Sequence, residues 1–93
     1  MRDSMAQQEW LPIGSVVKVR NFNKPVMIYG RKQRQEASGK VFDYVAVPYP
    51  EGNISEDFNM FFNISMIAEV YFKGFETEEE LNLRNSLSEE ENH

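Results

Sequence analysis
The run of residues 41–50, VFDYVAVPYP, restricts the fold of this chain more than any other stretch. β-Branched and aromatic side chains dominate it, and these suit a pleated surface better than a helix. Side chains alternate across a strand, so Val45 and Val47 share one face while Phe42, Tyr44 and Ala46 share the other. Pro48 and Pro50 have no N–H to give to a ladder. The strand therefore leaves the sheet, or runs along an edge, by residue 48.

Shorter runs on either side repeat the pattern. Pro12 and Gly14 mark a turn. Residues 15–20 then alternate Val17 and Val19 against Lys18 and Arg20. Residues 21–24 read as a hairpin loop, where Asn tolerates left-handed backbone. Residues 25–31 form the next strand, with Val26 and Ile28 on one face and Met27 and Tyr29 on the other. Apolar bulk on both faces predicts cover on both sides. Residues 31–40, RKQRQEASGK, have no apolar period and predict a long, mobile, basic loop. A turn at 50–53, a polar connection at 54–59 and a short strand at 60–63 follow. Asn63 or Ser65 caps a single helical turn through Ile67. Residues 68–74 are the last strand, with Val70 and Phe72 alternating against Glu69, Tyr71 and Lys73.

Thr77 and Glu80 have capping-box spacing and open a terminal helix. Glutamates at its start favour the helix dipole. Glu80 and Arg84 sit four apart and can pair. Leu83 and Leu87 share a face, with Leu81 flanking it. The expected fold is mainly β with a C-terminal helix (α+β). It is either a small five-stranded SH3-like barrel or a curled antiparallel sheet, with a twisted open sheet carrying the helix on one face as the alternative. Residues 1–10 are expected as a flexible segment, 11–88 as a single β-rich domain, and 89–93 as an acidic tail.

The chain has 93 residues, enough for one domain, and no cysteine. Without cysteine there is no disulfide staple and no thiolate to hold zinc or attack a substrate. That fits a reducing compartment. No apolar run approaches the ~18 residues needed to span a bilayer. The first ten residues lack the apolar stretch of a secretion signal, so a cytoplasmic location is expected. Net charge is −5, unevenly placed. Residues 18–40 carry seven bases against Glu36 alone, whereas residues 41–93 carry twelve acids against Lys73 and Arg84.

Reactive groups do not assemble in the sequence. The one histidine is His93, the last residue, where no triad geometry can hold it. There is no glycine-rich phosphate loop. Glu51, Glu56 and Asp57 lack the alternating spacing of a calcium loop. The expectation is no catalytic residue, no metal site and no cofactor. Two binding sets remain. Aromatic and proline surface beside the 50–53 turn suggests a partner-binding set of Tyr29, Arg31, Tyr44, Tyr49 and Pro50. The basic segment offers Lys18, Arg20, Arg31, Lys32 and Arg34 beside Phe22 and Tyr29, which suits a nucleic-acid-binding barrel. The net negative charge weighs against the second set.

Several stretches taken together resemble a known family. LPIGSVVKVR, KPVMIYGR, FDYVAVPYPEGN and FFNISMIAEVYFKGFETEEE follow the order and spacing of the family catalogued as domain of unknown function 4176, from Gram-positive bacteria. The likeness spans residues 11 to about 80. Phe42 stands where an aromatic or tyrosine is usual in that pattern, and Ile64-Ser65-Met66 replaces a more acidic turn. The resemblance implies small proteins encoded beside type VII secretion genes, near WXG-type helical proteins and LXG-domain toxins. It therefore implies an accessory, adaptor or chaperone-like role with a protein partner. It carries over no catalytic residue.

Overall fold
A computed structural model of the chain describes residues 10–91. Five strands form where β-branched and aromatic residues cluster. They are β1 (Val16–Val19), β2 (Val26–Arg34), β3 (Val41–Pro48), β4 (Met60–Phe62) and β5 (Ile67–Phe72). They pair in the order β4-β3-β2-β1-β5, with every ladder antiparallel. One helix, α1 (Glu78–Glu91), follows.

Of the expected architectures, the curled sheet is the one formed. The closed SH3-like barrel is not, because β4 and β5 end the sheet and share no ladder. The curl follows from chain length. In a flat five-stranded sheet the two edges lie about 19 Å apart. Only residues 63–66 link them, and Ile64–Met66 is a 3-10 turn. At ~2 Å rise per residue in that turn, the link reaches too short a distance. The sheet must roll until its edges approach.

The concave face holds the core. Trp10, Val17, Val19, Val26, Ile28, Tyr44, Ala46 and Phe62 cluster there, all buried. Trp10 meets Tyr44 edge-on with ring centroids 5.5 Å apart, and Tyr44 lies 5.5 Å from Phe62. Val45 and Val47 are buried as well, but on the opposite face.

Four expectations change. Residues 31–40 are not one long loop, since β2 continues to Arg34 and only residues 35–40 turn. The polar connection contains a 3-10 turn, Glu56–Phe58, capped by Ser55 Oγ, which accepts from the Asp57 N–H at 3.0 Å. Helix α1 runs to Glu91, into the expected acidic tail. Trp10, expected in a flexible segment, is a core residue. The rest of that segment, residues 1–9, and residues 92–93 lie outside the described residues.

Candidate functional site
The conspicuous motifs turn out to build the scaffold. In Leu-Pro-Ile-Gly-Ser, Leu11 donates its N–H to the Tyr44 hydroxyl at 2.7 Å and accepts Arg31 Nη1 on its carbonyl at 3.1 Å. Ser15 is fully buried. Its hydroxyl donates to the Pro12 carbonyl at 2.8 Å and accepts the Gly74 N–H at 3.0 Å. Gly74 passes so close that a β-carbon there would collide with the Ile13 carbonyl. The motif thus ties the end of β5 to the start of β1.

Arg31 is similarly occupied. The β2–β3 register slips between Ile28 and Gly30, so Tyr29 is an extra residue and Arg31 pairs with Tyr44 on the concave side. Arg31 grips Glu80 of α1 with two bonds, of 2.6 and 2.8 Å. The Arg31 side chain is 5% exposed and that of Glu80 12%. Arg84 also binds Glu80, at 3.2 Å, and Glu76. The Arg31 guanidinium holds the Glu80 carboxyl below its ordinary value, with Arg84 adding to it. Glu76 is held low by Arg84 and then Lys73. Burial pushes the Tyr44 hydroxyl up to about 12.

The expected partner-binding set therefore splits. Arg31 and Tyr44 are interior and face the core and α1, so they offer no docking surface in this state. Tyr29 and Tyr49 are about half exposed, and Pro50 is exposed. The Tyr29 hydroxyl accepts from Asn59 Nδ2 at 2.8 Å.

The basic set also divides. Lys18 stands opposite Glu69 in the β1–β5 ladder. Arg20 is exposed beyond β1, whereas Arg34 ends β2. Val17 pairs with Val26, eight positions before Arg34, a separation of about 26 Å along a strand. Lys32 is half-buried, and Arg31 is committed to Glu80. Nearby, Lys24 pairs with Glu51 at 3.1 Å. These bases are spread from one end of the sheet to the other.

What the structure does assemble is apolar. On the convex face Val16, Met27, Tyr49, Tyr71 and Phe72 line a shallow depression of about 470 Å³. Val16 is ladder partner to both Met27 and Phe72, so three neighbouring strands supply its floor. Tyr49 is 49% exposed, Tyr71 50% and Phe72 61%. Tyr71 reaches this face because the ladder slips between Val16 and Val17, leaving Tyr71 unpaired beside Phe72. Strict alternation separates these two residues, which is why sequence reasoning selected Tyr49 but missed Tyr71 and Phe72. A second groove, of about 400 Å³, lies between Phe22, Ile54, Phe58 and Met60, with the Lys24–Glu51 pair on its rim.

Among the described residues, no three of His, Cys, Asp and Glu converge as metal ligands would. No helix among them is long and apolar enough to cross a membrane. No curated protein and no solved structure matches the chain. A family model does match, over residues 10–83, a span containing all five strands, the Leu-Pro-Ile-Gly-Ser turn and both partners of the Arg31–Glu80 pair. The chain belongs to the family described as Domain of unknown function (DUF4176).

Proposed function
We propose that this protein is a non-enzymatic interaction domain that binds another protein through the convex face of its sheet. The observation that supports this reading is the exposure of Tyr49, Tyr71 and Phe72 around one depression floored by Val16 and Met27. Aromatic residues and methionine are enriched at protein interfaces, and lysine and glutamate are depleted. A soluble fold has little reason to gather three half-exposed aromatics on one face unless something covers them. The two edges do not suit strand addition. β4 is only three residues long, and β5 carries two register slips, which turn an edge away from pairing.

The partner class rests on the role that the resemblance implies. An accessory, adaptor or chaperone-like role for type VII secreted toxins would give this face an LXG-domain toxin or a WXG-like helical protein to hold. Co-expression with an LXG-domain protein, followed by size-exclusion chromatography, tests the proposal. A joint peak at micromolar concentration is expected. Separate elution of two folded proteins contradicts it. Salt-sensitive binding to oligonucleotides instead would favour the basic residues Lys18, Arg20, Lys32 and Arg34.

A further inference from the structure
A second surface lies beneath α1. Trp10, Tyr44 and Arg31 meet there, with Trp10 edge-on to Tyr44 and Arg31 held to the Leu11 carbonyl. Tryptophan, tyrosine and arginine are the residue types that most often carry binding energy in protein complexes. Here α1 sits on Arg31 through Glu80 and on the core cluster that contains Trp10 and Tyr44 through Leu87.

That cover is fixed at few points. Of the leucines in α1, Leu87 packs against the core, while Leu81 and Leu83 remain 46% and 51% exposed. Much of the remaining attachment is charge, through the bidentate Glu80–Arg31 pair. No ladder of the sheet uses α1, so strand pairing is complete without it. Segment 73–77 joins the helix to β5 outside any strand or helix. The cover also shows what its seat accepts: a carboxylate on Arg31 and, seven residues later, a leucine in the core.

We propose that this seat is an interaction surface that α1 occupies as a tethered competitor, and that its external occupant is an acidic helical segment with the same carboxylate-to-leucine spacing. The proposal is independent of the convex face. The charge match sets the chemistry of the occupant. A nearly buried guanidinium needs a carboxylate opposite it, and a segment without one would strand the charge.

The test uses the full chain, as wild type, as Leu87→Ala, and as Glu80→Gln with Leu87→Ala. The probe is a synthetic peptide of residues 76–91, beside the same peptide carrying Glu80→Gln. Nuclear magnetic resonance follows the Trp10 indole and Arg31 side-chain signals, and amide exchange follows α1. In the double variant both signals are expected to shift saturably with the wild-type peptide. The Gln peptide should bind about tenfold more weakly, since it lacks the charge-assisted pair. The wild-type chain should also bind at least about tenfold more weakly, because a tethered helix competes at an effective concentration in the millimolar range. Leu87→Ala alone keeps the partner of Arg31 and should show intermediate binding. Two results overturn the proposal. One is rapid α1 exchange with no peptide-induced shift, which means an open seat that accepts nothing. The other is α1 exchange that stays tied to that of the sheet in both variants, which means a cover that does not open.

Discussion

At the scale of the residue, environment separates ion pairs that look alike in sequence. Arg31–Glu80 is nearly buried, whereas Lys24–Glu51 has both side chains about 40% exposed. Removing one partner of a buried pair leaves a stranded charge, so Glu80→Ala should cost about 3 kcal/mol in a urea titration. Lys24→Ala should leave the urea midpoint essentially unchanged, because water already screens that pair. Tyr44 makes a second case. Tyr44→Phe removes the acceptor of the Leu11 N–H and should cost about 1–2 kcal/mol. Its hydroxyl titrates near 12 when folded against 10.0 ordinarily. The folded state therefore favours the protonated form. The stability this contributes is complete below pH 10 and is lost as pH rises from 10 toward 12. Absorbance titration should resolve one late tyrosine, and Tyr44→Phe should remove it.

At the scale of the element, the sequence showed which runs become strands but not where their registers slip. The alternation in 41–48 is as expected, with Tyr44 and Ala46 on the core face and Val45 and Val47 on the other. The 3-10 turn after Asn63 and the Thr77 cap were also legible, the latter accepting the Glu80 N–H at 3.1 Å. Two slips were not. Strict alternation from Val26 sends Arg31 outward, but the extra residue at Tyr29 turns it inward. A one-residue slip reverses faces, and nothing local in the sequence marks it except Gly30. There a β-carbon would lie 2.8 Å from Val45 Cγ1. Gly30→Ala should therefore cost about 1–3 kcal/mol, measured by thermal unfolding, through overpacking of the convex face.

The capping box was also only half legible. The Glu80 side chain serves Arg31 and Arg84, a long-range demand that spacing within the helix cannot reveal. This demand sets the acid response of α1. Glu80 and Glu76 have folded values below the ordinary 4.5. Their stabilising contribution is present above 4.5 and is lost as pH falls below it through the lowered folded values. Helical circular dichroism should therefore weaken on acidification below that point. Glu80→Gln should already show part of the loss at neutral pH.

At the scale of the whole molecule, the residues that hold the scaffold together and the aromatics left open on the convex face are different. Leu11, Ser15, Gly30, Arg31, Tyr44 and Gly74 hold the sheet to its turn and its helix. Tyr49, Tyr71 and Phe72 do little of that and lie open. Of the convex-face depression, only Tyr49 was singled out from the sequence. The rest required the β5 bulge to bring Tyr71 beside Phe72. The two groups should respond differently to mutation. Scaffold substitutions should lower stability and binding together, whereas convex-face substitutions should lower binding alone.

Calorimetric titration of an LXG-domain protein, the proposed partner, against wild type and against Tyr71→Ser with Phe72→Ser tests the convex face most directly, provided the melting midpoint of the variant is recorded alongside. Losing two aromatic anchors should weaken affinity at least about tenfold while leaving the fold intact. Equal affinity in wild type and a folded variant would contradict the account.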